Sequence, residues 1–362
     1  MPLVAHSPLP TFQRLAQEGE DVLGIERARQ QDIRELHIGL LNMMPDAALA
    51  PTERQFLRLV GACNRIVQFY IHPFTFDVIP RSEQAADYLR RYYEPFELIA
   101  EQGLDALIIT GANPQNSDIT AEPFWEPLTA VLDWARENVT STLCACLATH
   151  GTVQYFHGIQ RQPLGVKRWG VYPHRIMDRT HPLVRNINTR FDVPHSRWNE
   201  VFRRQLDEAG IDTLVASDTA GVHLAVSPDR LRFIYFQGHP EYDRHSLLKE
   251  YKREVSRYLL GDIADYPPVP ERYFQPTAQP ILDDFREQAE RHREPGLLQY
   301  FPEKELVHHA DNTWSDTGKT VVNNWMGIVY QLTHSDRRIP FMAGVDPEDP
   351  LGLRHRRPEP EL

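Results

Sequence analysis

Cysteine is scarce in this chain: only Cys63, Cys144 and Cys146 occur among 362 residues. Three cysteines cannot build the disulfide framework of a small secreted domain, so each is either buried filler or a reactive thiol. Long apolar runs are absent, since no stretch approaches the ~18 residues of a membrane-spanning helix. The N-terminus lacks the basic start and apolar core of a signal peptide. We therefore expect a cytoplasmic protein without membrane partners.

Positive charge is also in short supply. Lys and Arg total 39 against 50 Asp and Glu, which gives a formal net charge of -11. Nucleic-acid-binding proteins normally present a basic face, so this balance argues against that class. The phosphate-binding patterns G-x-x-x-x-G-K-[ST] and G-x-G-x-x-G are missing, which leaves a nucleotide-driven mechanism poorly supported. We expect small-molecule substrates and no nucleic acid.

Strand-like and helical patterns alternate over the first half of the chain. Continuous apolar runs such as "LDALIITG" are typical of buried strands, and amphipathic stretches such as "TERQFLRLVGA" separate them. This alternation predicts an α/β fold with a mostly parallel sheet and helices on both faces. The helical stretch between residues 82 and 103 has Ser82 as its predicted N-cap and Gly103 beyond its end.

Four segments are predicted along the chain. They are an N-terminal arm over 1–34, an α/β domain over 35–262, a C-terminal extension over 263–345 that packs on this domain, and a disordered tail over 346–362. The arm shows no hydrophobic period, so we expect irregular structure there. The tail is charged and rich in proline, a composition that is typical of disorder.

Residues with useful chemistry follow three of the predicted strands. Gly111 and Ala112 follow one apolar run, Cys146 follows a second, and His239 and Glu241 follow a third. Ligands of open α/β sheets bind at the carboxyl ends of the strands. We therefore expect these residues to meet at one edge of the sheet.

The segment "STLCACLATHG" contains two of the three cysteines. A zinc site needs three or four ligands at characteristic spacing, and no second Cys or His pair follows, so we expect no metal site. Cys144 lies inside the apolar run and is predicted to be core filler. Cys146 stands where strand gives way to helix, whose N-terminal N–H groups favour a thiolate and could hold an oxyanion. Cys146 is the candidate nucleophile, although an unpaired cysteine is more often inert.

A nucleophilic cysteine needs a base, and the base needs an orienting group. One residue separates His239 from Glu241 in "FQGHPEYD", so an extended backbone places both on one side. Glu241 would accept from one imidazole nitrogen while the other nitrogen faces Cys146. His150 is closer to Cys146 in sequence, but we expect a structural role for it, as for most of the other histidines.

Eight segments occur in the order found in the homoserine O-succinyltransferase family, and the chain resembles that family from about residue 35 to 334. They are "LHIGLLNMMP", "TERQFLRLV", "LDALIITGA", "VTSTLCACLA", "KRWGVYPHRI", "PHSRW", "GHPEYD" and "NNWMGIVYQLT". The resemblance implies a flavodoxin-like fold similar to class I glutamine amidotransferases. It also implies acyl transfer from acyl-CoA to L-homoserine in methionine biosynthesis, by a cytoplasmic homodimer that holds no bound cofactor.

The resemblance also implies roles for individual residues. Cys146 matches the nucleophile, His239 the general base and Glu241 its orienting carboxylate. The remaining matches are those of the substrate pocket, Lys167, Ser196 and Arg253, and those of the oxyanion hole, Gly111, Ala112 and Leu147. Arg253 would hold the amino-acid carboxylate. On spacing alone, the three pocket residues would be interpreted as solvated or ion-paired surface residues.

Some positions depart from the family pattern. The residue that sorts succinyl from acetyl donors is Gly or Glu in the family, and the matching position here is Gln115. Gln is as long as Glu but uncharged, so succinyl-CoA and acetyl-CoA both stay open as co-substrate, with succinyl-CoA favoured. Asp46 and Ala47 replace a basic pair, and Leu147 replaces a Trp that usually follows the cysteine.

Three other functions stay open. A serine O-acyltransferase on the same scaffold would prefer serine to homoserine. A class I amidotransferase-like hydrolase would use the same Cys-His-Glu set on glutamine, but it would need a synthetase domain or partner. A non-catalytic binding protein is disfavoured because Cys146, His239 and Glu241 are all intact.

Overall fold

The computed structural model describes residues 3–64 and 66–352. The strands within these ranges are β1 (Leu3–Ala5), β2 (Val22–Gly24), β3 (Glu35–Leu41), β4 (Gln68–Phe74), β5 (Ala106–Ile109), β6 (Ser141–Ala145), β7 (Gln162–Ile176), β8 (Arg190–Glu200), β9 (Asp212–Ser217), β10 (Gly221–Val226) and β11 (Phe233–Phe236). The α-helices are α1 (Pro10–Gln17), α2 (Ile25–Arg29), α3 (Asp46–Gly61), α4 (Glu83–Tyr92), α5 (Phe96–Gln102), α6 (Trp125–Asn138), α7 (Leu147–His157), α8 (Arg203–Glu208), α9 (Ser246–Leu260), α10 (Gln279–Arg291), α11 (Glu303–Leu306) and α12 (Ser315–Leu332). Short 3-10 helices cover Ile119–Ala121, Pro182–Val184, Pro276–Ala278, Pro295–Tyr300 and Val307–His309.

These strands form one sheet in the order β2-β1-β4-β3-β5-β6-β11-β10-β9-β7-β8. Pairing is parallel from β2 to β11 and antiparallel from β11 to β8. The central strands β4-β3-β5-β6-β11, renumbered in chain order, run 2-1-3-4-5, which is the flavodoxin-like order. The predicted α/β fold with a mostly parallel, flavodoxin-like sheet is confirmed.

Helices cover both faces of the sheet, as expected. Successive residues of β5 alternate between two cores, because side chains along a strand point to opposite faces. Ala106 and Ile108 pack in the core that α1, α3 and α12 cover, whereas Leu107 and Ile109 pack in the core that α5, α6 and α7 cover. A third core joins α9 to α10. In the described part of the chain, no helix is both long and apolar enough to cross a membrane.

The described residues of the N-terminal arm are more regular than predicted. Strand β1 pairs in parallel with β2, and Leu3 also pairs with Phe69 of β4. Helix α1 buries Phe12 and Leu15 in the main core. The expectation of irregular structure is therefore wrong here. A strand of three residues is too short to show a period, and its partner β4 lies far along the chain.

Two helices differ from the predicted pattern, and one cap agrees with it. The stretch between 82 and 103 divides into α4 and α5 at Pro95, which cannot occupy a helix interior. Ser82 caps α4 as predicted, since its Oγ accepts from the N–H of Ala85 at 3.3 Å. Helix α10 was not predicted. Of the predicted tail over 346–362, the part from 353 onward lies outside the described residues.

Candidate active site

Cys146 is the single residue between β6 and α7. Its backbone φ is 52° and ψ is -108°, a conformation that residues other than glycine rarely adopt. Such strain persists only where the surrounding structure enforces it, and it is typical of a nucleophile on a sharp strand-to-helix turn. The N–H of Cys146 donates to the carbonyl oxygen of Phe236 at 2.7 Å, which ties the turn to the end of β11.

The surroundings of Cys146 are rich in free backbone donors. A Cβ added to Gly111 would lie 3.6 Å from the Cβ of Cys146, so the end of β5 approaches the nucleophile closely. Within the described ranges, the N–H groups of Gly111, Ala112 and Leu147 donate to no protein group. The first N–H groups of a helix have no partner inside it, and here they lie next to a thiol. This arrangement suits the binding of an oxyanion.

Cys144 differs sharply from Cys146. It is fully buried, its sulfur lies 3.3 Å from the Oγ1 of Thr152, and burial raises the pKa of its thiol to about 12. A thiol in that environment stays protonated and inert. Cys146 is partly exposed. The prediction that Cys144 is core filler is confirmed.

His239 and Glu241 form a buried pair just beyond β11. The Nδ1 of His239 donates to the Oε1 of Glu241 at 2.7 Å. Burial lowers the pKa of His239, but the charges of Glu241 and Cys146 outweigh burial and raise this pKa to about 10. The Nε2 of His239 is buried, and its contact with the Cys146 sulfur falls short of full hydrogen-bond geometry. Loose contacts of this kind are common before substrate binds.

A largely buried carboxylate whose role sequence reasoning missed lies next to this pair. Four donors converge on Glu250: the Ser196 hydroxyl at 2.6 Å, the Tyr242 hydroxyl at 2.7 Å, the Trp169 indole N–H at 3.0 Å and the Lys167 ammonium at 3.4 Å. Burial raises the pKa of Glu250, but the charge of Lys167 and the hydrogen bonds from Ser196 and Tyr242 outweigh burial and hold the pKa below its usual value. Glu250 is therefore an anion at neutral pH.

The hydroxyl of Tyr242 connects Glu250 to the histidine. The ring of Tyr242 stacks on the imidazole of His239, with 4.3 Å between ring centroids. No local motif links Glu250 to its donors, because these come from β7, from β8 and from the turn after β11. The only hint in the sequence is that Glu250 lies on the helix that carries Arg253.

The predicted pocket residues divide into two groups. Lys167 and Ser196 meet at Glu250, as described above. Arg253 lies on the exposed side of α9, with its side chain 60% exposed and its Nε 3.4 Å from the Oε1 of Glu254. Burial lowers the pKa of Lys167 more than Glu250 raises it, and the charge of Arg253 lowers it further. Arg253 is thus within electrostatic reach of Lys167.

Gln115 is exposed on the loop between β5 and α6. Its backbone N–H donates to the Oε1 of Glu122 at 2.7 Å, and its side-chain amide donates to the carbonyl of Asn113 at 3.3 Å. Arg161 fastens the same loop by donating to the carbonyl of Ser117 at 2.9 Å. Burial lowers the pKa of Arg161, while the charges of Glu122 and Cys146 raise it. Sequence reasoning missed Arg161, a cation close to the nucleophile.

His150 is not placed to act as the base. Its Nε2 lies 3.0 Å from the Oε1 of Gln237, and burial lowers its pKa to about 3. It is therefore a neutral, hydrogen-bonded residue of the interior, as predicted.

Comparison with known proteins points to one family. A family model described as homoserine O-succinyltransferase matches residues 2–335. A homoserine O-succinyltransferase of Methylococcus capsulatus is 60% identical over 98% of this chain and 100% of its own length. The homoserine O-succinyltransferase of Thiothrix nivea is 59% identical over 98% of this chain and 99% of its own length. That of Cardiobacterium hominis is 51% identical over 98% of this chain and 100% of its own length.

The solved structures that resemble this chain have much lower sequence identity to it. A glutamine amidotransferase from Methylobacillus flagellatus is 13% identical, with a TM-score of 0.45, over 82% of this chain and 95% of that one. A glutamine amidotransferase from Thermotoga maritima is 10% identical, with a TM-score of 0.40, over 83% of this chain and 98% of that one.

Proposed function

The chain belongs to the homoserine O-succinyltransferase family and is an acyltransferase, and we propose that it transfers the succinyl group of succinyl-CoA to the hydroxyl of L-homoserine in methionine biosynthesis. One observation carries the mechanism: Cys146 sits on a strained strand-to-helix turn, next to a buried His239–Glu241 pair. The co-substrate is acyl-CoA, and no resident cofactor takes part in any of the steps proposed below.

The first half-reaction acylates the cysteine. We propose a Cys146 thiolate as the nucleophile, beside a His239 imidazole whose raised pKa keeps it protonated at neutral pH. The thiolate attacks the thioester carbonyl carbon, and the oxyanion that forms is held by the N–H groups of Gly111, Ala112 and Leu147. The bond to the CoA sulfur then breaks. His239 gives its proton to this sulfur, so CoA leaves as a thiol.

The second half-reaction uses His239 as a base. Acylation removes the thiolate charge of Cys146, which is one of the charges that raise the pKa of His239. The neutral imidazole takes the proton of the homoserine hydroxyl, and the hydroxyl oxygen attacks the acyl carbon. The bond to the Cys146 sulfur breaks, which restores the thiolate–imidazolium pair and releases the ester. Glu241 fixes the imidazole ring throughout.

The pocket beside this pair suits an amino acid. We propose that Arg253 binds the carboxylate of homoserine, since its guanidinium is exposed and its charge acts on Lys167. Glu250 holds Lys167 and Ser196 in place. It also accepts from the hydroxyl of Tyr242, which fixes the aromatic ring that stacks on His239. We place the acceptor there because the ring of Tyr242, which Glu250 holds, stacks on the catalytic base.

The choice of acyl donor is tested at Gln115. With homoserine as acceptor, kcat/KM should be higher for succinyl-CoA than for acetyl-CoA. Gln115→Glu should shift this ratio toward acetyl-CoA, because a carboxylate would repel the succinyl carboxylate. Asn113→Ala is the matched control, since Asn113 is exposed on the same loop. An acetyl-CoA preference of the parent enzyme would contradict the succinyl assignment.

The acceptor is tested by a paired assay of homoserine and serine. Higher kcat/KM for homoserine supports the proposal, and higher kcat/KM for serine would show that the chain is a serine O-acyltransferase. Release of ammonia from glutamine without acyl transfer would assign it instead to the amidotransferase-like hydrolases.

We also propose that the enzyme is a cytoplasmic homodimer. The edge of the sheet at β7 and β8 exposes two large apolar side chains, Val166 at 78% and Trp198 at 61%. Exposed apolar patches of this kind mark association surfaces. Light scattering should give twice the mass of one chain for the parent and less for Trp198→Glu; a monomeric parent would contradict the proposal.

A further inference from the structure

A second group of titratable side chains lies where β1, β4 and β3 adjoin. His6 follows β1, His72 lies in β4, and Glu94 lies between α4 and α5. One possible ligand atom of each lies within 4.8 Å of the other two. Strands β3 and β5 separate β4 from the strand that carries the nucleophile, so this group is distinct from the active site.

His72 stands in the middle of a row of polar contacts. Its Nδ1 lies 2.8 Å from the Oε1 of Glu94, and its Nε2 lies 2.9 Å from the Nδ1 of His37. The Nε2 of His37 lies 3.4 Å from the Oε2 of Glu35. We call these four residues the Glu35–Glu94 row.

With both imidazoles neutral, the Glu35–Glu94 row has one N–H too few for its three contacts. Carboxylates only accept hydrogen bonds, so each end of the row needs an N–H from an imidazole, and the contact between the two imidazoles needs a third. Two neutral imidazoles have only two N–H groups between them.

His6 brings a free lone pair to the same place. Its Nδ1 lies 3.2 Å from the carbonyl oxygen of Val4 and can donate to it. Its Nε2 is buried and has no hydrogen-bond partner within the described ranges. The rings of His6 and His72 are 5.1 Å apart between centroids.

We propose that His6, His72 and Glu94 bind a divalent transition-metal ion, with zinc as the best match. Two imidazole nitrogens and one carboxylate oxygen are a common protein ligand set for zinc, with a water in the fourth position. The ion would take the place of the N–H at the Nδ1 of His72, so that two N–H groups suffice for the two remaining contacts of the row. Ligands about 2.1 Å from an ion lie roughly 3.4 Å apart, so the 2.8 Å contact between His72 and Glu94 needs to open only slightly.

The rest of the Glu35–Glu94 row then serves to orient His72. With the ion on its Nδ1, the Nε2–H of His72 donates to His37, and the Nε2–H of His37 donates to Glu35. Metal-bound histidines usually donate their other N–H to a fixed acceptor in this way. The ion ties β1 to β4 and to the turn before α5. The three ligands come from separate segments, so no spacing motif could reveal them, and the expectation of no metal site rested on the cysteines alone.

The test is a zinc titration in a Cys146→Ala background, because the active-site thiol would otherwise compete for the ion. Protein stripped with EDTA and dialysed is titrated with zinc chloride by calorimetry, and bound metal is counted by mass spectrometry after gel filtration. One zinc per chain is expected. His6→Ala and Glu94→Gln should lose it, and His37→Phe should weaken it by about 10–100-fold.

A matched control is available in His292→Ala. His292 is exposed, and its ring makes no hydrogen bond in residues 3–64 and 66–352, so this variant should bind zinc like its parent. Zinc should raise the melting temperature of the parent and the control but not of His6→Ala, whose metal-free fold circular dichroism checks. Absence of bound zinc, or equal binding by His6→Ala and the parent, would overturn the proposal. Neither result depends on acyl-transfer activity.

Discussion

Glu250→Gln should destabilise the fold by about 3 kcal/mol. Glu250 and Lys167 have side chains that are only 14% and 13% exposed, so the substitution leaves a desolvated ammonium without its counter-ion. Removing one partner of a buried ion pair costs about 3–5 kcal/mol. We take the lower end of this range because the ammonium also lies 4.1 Å from the centroid of the Trp169 ring, a contact that survives the substitution.

The loss should depend on pH. Burial already lowers the pKa of Lys167, and the charge of Glu250 opposes that shift, so the pKa falls further when the charge is removed. The unfolded chain then binds more protons than the folded chain between this lowered pKa and the ordinary value of 10.5. Stability rises with pH in such a window. The deficit of Glu250→Gln should therefore shrink as pH rises from neutrality toward that value.

Urea unfolding followed by circular dichroism measures the effect. Glu254→Gln is the control on the same helix, because its partners Arg253 and Arg257 are 60% and 47% exposed, and its cost should stay below about 1 kcal/mol. Lys167→Met combined with Glu250→Gln should recover much of the loss, since no buried charge then lacks a partner. If Glu250→Gln costs no more than Glu254→Gln, the reasoning is refuted.

Other substitutions test the catalytic pair and one turn. His239 has a pKa of about 10 in the folded chain against an ordinary value of 6.5. The stability that its protonation contributes is therefore fully present below pH 6.5 and is lost as pH rises through about 10. The unfolding free energies of the parent and His239→Asn should converge as pH approaches 10. Glu241→Gln should lower the pKa of His239 in an NMR titration and reduce kcat by about 10²–10⁴-fold, whereas an unchanged pKa would contradict the pairing. Gly221→Ala should cost about 2 kcal/mol or more in urea, because φ is +69° and the new Cβ would overlap Glu200. Gly210→Ala should cost about 1 kcal/mol, because φ is +71° and the new Cβ would meet only the Cγ of Pro228, at 4.0 Å; equal costs would refute this.

The ends of the parallel strands could be predicted because such strands have a recognisable hydrophobic pattern. A strand buried on both faces is a continuous apolar run, so its last residue is visible in the sequence, as at Ile109 and Ala145. The contact between His239 and Glu241 could also be predicted, because a single intervening residue leaves the two side chains on the same side of an extended backbone. The sheet order then brings the ends of β5, β6 and β11 together.

Contacts between distant elements could not be predicted in the same way. The four donors of Glu250 come from different strands and turns, and a carboxylate on an amphipathic helix looks like any solvated one. The strands β1 and β2 have three residues each, fewer than a period needs. Helix α10 did carry a signal that was missed, with Pro280 in its first turn and buried Leu282, Phe285 and Ala289 at helical spacing.

The central claim is that the acyl group passes through the sulfur of Cys146. Incubating the enzyme with succinyl-CoA in the absence of homoserine, followed by acid quenching and intact-mass and peptide mass spectrometry, tests it directly. A gain of about 100 Da on Cys146, discharged when homoserine is added, is the predicted result, the same in Cys144→Ala and absent in Cys146→Ala. Turnover without any adduct, or an adduct of equal yield in Cys146→Ala, would contradict the account.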